Sequence, residues 1–493
     1  MNKLLTALLT LVIVGYGCRA TDTCRCVSVR DGHFTSADKG SEYFIGANFW
    51  YGAILGSEGV GGNRERLLAE LDMLKDMGVT NLRVLVGGDG PDGVPTRVTP
   101  TLQKEPQVYN DTIFRGLDYL LAEMGRRDMK AVLYLNNAWE WSGGYGIYLE
   151  WAGEGKALIP AEVGYPAYTR SVSKFVTSPK AKALFADHVR TVVSRTNTVT
   201  GMPYSEDPAI FSWQICNEPR CFSSDPSVKE AFTQWMWETA ALIKSLDPNH
   251  LVSSGNEGAK GCEEDIELFE KIHACPDIDY VNIHIWPFNW SWIKRDSVVE
   301  GLENAIAETD KYIDAHLAVA AKYNKPMVIE EFGYPRDGFQ FSKSTPASAR
   351  DAYYKHIFDR VVRSSFEGGL LAGVNFWGWG GMAEQSPEHI YWASGDDYCG
   401  DPAQEQQGLN SVYASDAGTV GIIRKAVSDI NRGVIAEAIC EHKWMYEGAG
   451  RHKLAVNCSG RKGAAAELTL AISKDTGEPV STNSQSIKIL RGG

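Results

Sequence analysis

Basic charge is in short supply in this chain: 49 Lys and Arg stand against 62 Asp and Glu, a formal net charge of −13. A surface of that sign repels phosphate backbones and anionic lipid, which excludes nucleic acid and the membrane surface as principal partners. Long apolar runs are missing beyond the first residues, so nothing further along reads as membrane-spanning. His and Cys never gather at metal-ligand spacing, and Cys24-Arg-Cys26 lacks the spacing of a zinc pair. The glycine-rich stretch 56–62 has no Lys-Ser/Thr ending, so it is a rim loop rather than a phosphate loop. No metal and no cofactor are expected.

What remains is a neutral partner, and the aromatic content suits one. Fourteen Trp and twenty-one Tyr can stack on sugar rings as well as fill a core. At 493 residues the chain exceeds one ordinary domain of roughly 100–200 residues, yet a single α/β barrel with insertions can take most of it. Lys3 and the apolar stretch 4–17 have the layout of a secretory signal over residues 1–20. Two processing routes stay open, lipid anchoring at Cys18 or ordinary cleavage after Ala20, so the protein is expected to be secreted or lipid-anchored at a bacterial envelope. A monomer is expected. Ten cysteines in an exported chain imply disulfides. Local pairs are expected between Cys262 and Cys275 and between Cys440 and Cys458, with Cys221 open to bridging and Cys216 an inert buried thiol.

Strand-like apolar runs alternate with amphipathic helical patterns, the signal for parallel βα units. Strands are predicted over 43–50, 81–86, 130–136, 210–216, 251–255, 280–286, 326–331 and 370–377. Helices are predicted over 64–77, 112–127, 181–195, 228–245, 263–273, 299–323, 347–362 and 418–431. Eight such units close into a (β/α)8 TIM barrel over 41–432, followed by a small β extension over 433–493. The long connections 137–180 and 378–418 are expected to wall a cleft.

Two of the predicted strands end on carboxylates. The seventh, in Lys325-Pro-Met-Val-Ile-Glu-Glu-Phe-Gly333, stops at Glu331; the fourth, in Ile210-Phe-Ser-Trp-Gln-Ile-Cys-Asn-Glu-Pro219, stops at Glu218 before a proline. Paired carboxyl groups at the C-terminal face of a barrel suit glycosidic cleavage, one protonating the leaving oxygen and one attacking or activating water. Glu330 is expected to point to the opposite face, since neighbouring strand residues alternate.

The string Trp213-Gln-Ile-Cys-Asn-Glu-Pro-Arg220 with Val328-Ile-Glu-Glu-Phe-Gly333, supported by Asn81-Leu-Arg83, His284-Ile-Trp-Pro287 and Asn375-Phe-Trp377, resembles glycoside hydrolase family 5 over residues 43–431. Within it, Asn136-Asn-Ala-Trp-Glu-Trp-Ser-Gly-Gly144 and His284-Ile-Trp-Pro-Phe-Asn-Trp290 look most like the endo-β-1,4-mannanase branch, with cellulase-like members the nearer alternative. The resemblance implies a retaining double displacement on β-mannan or manno-oligosaccharides, with Glu218 as acid/base and Glu331 as nucleophile. Arg83, Asn217, His284, Trp286, Trp377 and Trp139 are the implied substrate-binding residues, Asn217 toward the sugar 2-hydroxyl and Trp377 as the platform.

Glu218 is expected to be held protonated by its ionised neighbour Glu331, and Arg83 to keep Glu331 ionised. Where the family commonly has Tyr this chain has Trp286, whose indole donates but cannot accept, so another group must orient the nucleophile. Where many members have a His near the third strand, this chain has Asn136 and Asn137. Endo-cleavage is the default. An exo-acting β-mannosidase, a β-1,4-glucanase and a non-catalytic surface glycan-binding barrel are the alternatives.

Overall fold

The computed structural model describes residues 26–36, 40–440, 454–460, 465–473 and 479–488. The expected leader with Cys18, and Cys24, lie outside the described residues, as do the side chains of Cys440 and Cys458. No helix among the described residues is long and apolar enough to cross a membrane.

Eight strands form the centre: β1 Phe44–Asn48, β2 Asn81–Leu85, β3 Lys130–Tyr134, β4 Ile210–Gln214, β5 Leu251–Ser253, β6 Val281–Ile285, β7 Met327–Phe332 and β8 Leu371–Phe376. They pair in parallel in the order β5-β4-β3-β2-β1-β8-β7-β6. The remaining seam, between β5 and β6, is drawn together by Asp279, whose amide donates to Val252 O at 2.8 Å and whose carboxylate accepts from Val252 N at 2.6 Å. A helix follows each strand: α1 Arg64–Met77, α2 Asp111–Arg126, α3 Pro179–Val193, α4 Pro226–Leu246, α5 Ile266–His273, α6 Leu302–Tyr323, α7 Ser348–Glu367 and α8 Ala417–Arg432. This is the (β/α)8 barrel that the alternation predicted.

Local chemistry sets the element ends. Asn63 accepts the Arg66 amide at the start of α1, and Gly78, at φ 80°, ends it in the left-handed conformation glycine adopts without strain. At the bottom of the barrel Phe34, from the antiparallel strands Ser28–Arg30 and His33–Ser36, plugs the opening edge-on against Phe211 and Tyr280. Beyond α8, Val434–Cys440 pairs with Leu454–Gly460, and Ala465–Ser473 with Pro479–Lys488, both antiparallel.

The connection 137–180 carries the helices Gly144–Ala152, Pro160–Val163 and Tyr165–Val172. Two expectations need correction. Cys262 and Cys275 are free buried thiols, as are Cys216, Cys221 and Cys399. Cys262 sits in the turn before α5 with its thiol toward Asn256, and Cys275 lies past the end of α5, so the helix holds them apart. Finally, β7 runs one residue past Glu331, and its register with β6 goes from Ile283↔Ile329 to His284↔Glu331, skipping Glu330. A bulge of this kind breaks the alternation of faces.

Candidate active site

The bulge decides where two adjacent carboxylates go. Glu330 does not point away from the barrel interior as expected. Its oxygens accept from Tyr280 OH at 2.7 Å and from Gln214 Nε2, while Gln214 Oε1 accepts from Arg83 Nε at 2.7 Å. Arg83 then links upward, donating from Nη1 to Glu331 and to Asn48 Oδ1 (3.1 Å) and from Nη2 to Asn217 Oδ1 (2.8 Å). The guanidinium lies over the Tyr134 ring, 4.3 Å from its centroid, and is fully buried. Glu330 is thus a buried strut beneath Glu331, its carboxyl raised by burial.

Glu218 lies beyond the end of β4 rather than closing it, at φ 50°, a conformation that costs a non-glycine residue about 1–2 kcal/mol. Neighbouring strand ends hold it there. Asn217 N donates to Asn136 O beyond β3, and Glu218 N donates to Gly255 O beyond β5 at 2.9 Å. Gly255 must be glycine, because a Cβ there would sit 1.7 Å from Cys216 O.

One oxygen each from Glu218 and Glu331 and a ring nitrogen of His284 lie within 4.8 Å of one another. His284 Nδ1 is 2.8 Å from Glu218 Oε1 and 3.3 Å from Glu331 Oε2, and Trp139 Nε1 donates to the other Glu218 oxygen. Such a trio could also hold a metal ion, but Arg83 and Trp139 already donate to these carboxylates, so sharing of protons describes the set better. Burial alone would lower the imidazole. The charge of Glu331 and the hydrogen bonds to both carboxylates outweigh it and push His284 up to about 9.

Burial alone would likewise raise Glu218, but His284, Arg220 and the Trp139 N–H outweigh it and hold that carboxyl below its usual range. The expectation that Glu331 raises the Glu218 carboxyl is not met, and the group placed to share a proton with it is His284, one 2.8 Å hydrogen bond away.

A cavity of about 510 Å³ opens above these groups. Glu218, Glu331, Asn217, Trp139, Trp286 and Trp377 all line it, whereas Arg83 and His284 are buried behind the carboxylates. Trp286 packs edge-on to Trp377 at 6.0 Å and makes no hydrogen bond to Glu331 among the described residues. Arg83 and His284 supply the contacts that the usual Tyr would share in. Asn136 and Asn137 stand at the end of β3; Asn137 accepts from Asn217 Nδ2 at 3.1 Å and so fixes that amide.

Sequence reasoning missed several lining residues. Arg220 grips Glu257 with two nitrogens (2.6 and 2.5 Å) and lies over the Trp139 ring, 5.3 Å from its centroid. Burial, then the charge of Glu218, pushes Glu257 up to about 7 against the pull of Arg220. Glu257 follows β5 much as Glu218 follows β4, so a search for carboxylates after strands would have found it. Gln404 and Glu405, from the connection after β8, carried no signal, since loops have no period. Their Oε1 and Oε2 atoms, respectively, are buried without a partner among the described residues.

Fold and site together define a (β/α)8 glycoside hydrolase with two opposed carboxylates. The chain belongs to the glycoside hydrolase family 5 β-mannosidase-like family, whose model matches residues 25–434. A family 5 mannosidase from Rhizomucor miehei shares its structure at a TM-score of 0.75 and 35% identity, over 83% of this chain and 98% of that one. Mannan endo-1,4-β-mannosidase 1 of Arabidopsis thaliana is 33% identical over 296 residues, 56% of this chain and 64% of the plant protein. A second relative, mannan endo-1,4-β-mannosidase 1 of Oryza sativa subsp. japonica, is 31% identical over 64% of this chain and 69% of its own length.

Proposed function

We propose that the protein is a retaining β-mannosidase that removes terminal mannose from β-1,4-linked manno-oligosaccharides. In the first step Glu331 attacks the anomeric carbon as the bond to the leaving oxygen breaks and Glu218 protonates that oxygen. In the second, water attacks the same carbon, Glu218 takes its proton, and the ester to Glu331 is released. The proton that Glu218 delivers is shared with His284, and the acidic lining stabilises the positive charge that develops on the sugar. Asn217, its amide set by Arg83 and Asn137, addresses the 2-hydroxyl, and Trp377 supports the ring being cleaved.

The observation that carries the exo reading is a wall on one side of the cavity. Glu218 marks the leaving-group side, and from there the cavity runs on past Arg220, Lys260, Asn289 and Trp290. No residue of the β1 or β2 connections lines it. On that side Trp141 stands edge-on between Trp50 (5.9 Å) and Trp377 (6.4 Å), and Tyr398 packs on Trp50 at 5.9 Å. Trp50 Nε1 donates to Gly400 O at 3.0 Å and Thr96 donates to Glu140, so the connections after β1, β2, β3 and β8 are tied together there. A polymer passing through in both directions would have to part these contacts, whereas a chain end fits beneath Gln404 and Glu405.

Endo-cleavage is the second reading, favoured by the names of the plant relatives. Mannohexaose with its reducing end isotopically labelled separates the two. Mannose and labelled mannopentaose as the first products support exo action; mannobiose and mannotriose from the earliest time points overturn it. Parallel digests of β-glucan oligosaccharides test the glucanase alternative.

A further inference from the structure

A second hollow, of about 190 Å³, lies on the barrel rim and shares no lining residue with the catalytic cavity. Its floor is the glycine-rich stretch that the catalytic site leaves unused, Val60 to Asn63, and its far side is the tip of the β8 connection from Trp392 to Tyr398. Trp392 stacks on Tyr398, with ring centroids 5.3 Å apart and planes 18° apart, and donates from Nε1 to Asp396 O at 3.2 Å. Tyr398 is fixed in turn by donating its hydroxyl to Thr99 O and by packing on Trp50. The result is an aromatic platform held in one orientation and half open to solvent.

The glycines explain how the floor comes so close. Gly61 has φ +79°, and a Cβ there would lie 2.6 Å from Tyr398 Oη; one on Gly62 would lie 2.1 Å from Ser57 O. A side chain on Gly61 would push the loop off the platform, and one on Gly62 would break the turn that the loop makes with Ser57.

Charge narrows the class of ligand. Among the described residues Arg66 is the only cation lining the hollow, and it is committed, with Nε 2.7 Å from Glu70 and Nη1 3.6 Å from Asp397. Asp396 and Asp397 leave the site acidic, which disfavours phosphate, sulfate or acidic polymer. A rigid aromatic ring edged by carboxylate and amide groups suits a neutral polyhydroxylated ring, which stacks its C–H face and donates its hydroxyls. We propose that this hollow binds a segment of β-mannan or manno-oligosaccharide apart from the chain end being cleaved, and so holds the enzyme on its polymer. The wall of Trp50, Tyr398 and Trp141 separates the two sites, so the occupant is a different stretch of chain.

This inference rests on the mannoside reading above, and the test keeps the two apart. Retention on insoluble mannan is measured for the Glu331→Ala protein with and without Trp392→Ala, and kcat/KM on an aryl β-mannoside for Trp392→Ala alone. Retention should fall roughly three- to tenfold, the scale of one aromatic stacking contact, with kcat/KM unchanged and with Trp392→Tyr restoring retention. Unchanged retention with kcat/KM also unchanged overturns the inference while leaving the catalytic reading intact. If the unsubstituted protein cleaves no β-mannoside, the functional reading itself fails. A fall in kcat/KM equal to the fall in retention means that Trp392 acts through the catalytic cavity, and likewise overturns the inference.

Discussion

The two strand ends that carry the catalytic carboxylates are built on opposite plans. Beyond β4, Glu218 sits in a strained left-handed turn, held by backbone hydrogen bonds and contacted by two neutral-to-cationic donors, Trp139 and His284. At the end of β7, Glu331 is still in the ladder, set by a bulge and gripped from below by a fully buried guanidinium. The difference teaches a division of labour. A fixed cation beneath it suits a group that must attack, whereas a shared, mobile proton suits one that must give and take.

The sharpest break in that comparison comes from removing each carboxylate. Glu331→Ala should lose on the order of 10⁴-fold or more in kcat/KM on every substrate. Glu218→Ala should lose about 10²–10⁴-fold on manno-oligosaccharides, while an activated aryl mannoside still glycosylates the enzyme. Azide should then rescue turnover as a β-mannosyl azide of retained configuration. Recovery of that product from Glu331→Ala instead would exchange the roles.

Next in size is Arg83→Met, which leaves Glu331 and Glu330 buried without their cation. Urea unfolding should show a loss of roughly 3–5 kcal/mol, the usual scale for breaking one side of a buried ion pair. A loss below about 1 kcal/mol would mean that Arg83 is not the clamp described.

The smallest effect expected is on pH dependence. Because His284 is pushed up to about 9, the His284–Glu218 pair keeps its one transferable proton until pH rises through that region, and kcat/KM should fall there. In His284→Asn the proton must reside on Glu218 itself, so the alkaline limb should move to lower pH, with rates near the acidic side changed about tenfold or less. A limb that stays near 9 would place the proton elsewhere.

Much of this was legible in the sequence for a definite reason. The barrel strands are buried on both faces and read as continuous apolar runs, and Glu218 and Glu331 stand out because they interrupt such runs at the functional face. Glu330 was misread because a bulge is a property of two strands: the shift at Ile283/His284 cannot be seen in β7 alone. The direction of the Glu218 shift was misread because His284, sixty-six positions away, becomes its neighbour only through the fold. The pairing of Cys262 with Cys275 failed for a similar reason, since nearness in sequence ignored the helix α5 between them. Gln404 and Glu405 lie in a connection whose path is set by Asp401, which accepts the amides of Gly408 and Asn410, and no local pattern announces that.

Which of two adjacent carboxylates bonds to the sugar is tested most directly by trapping the glycosyl-enzyme with 2-deoxy-2-fluoro-β-mannosyl fluoride. Peptide mass spectrometry should find a single adduct, on Glu331. An adduct on Glu330 or Glu218, or no adduct together with an inverted first product by proton NMR, would contradict it.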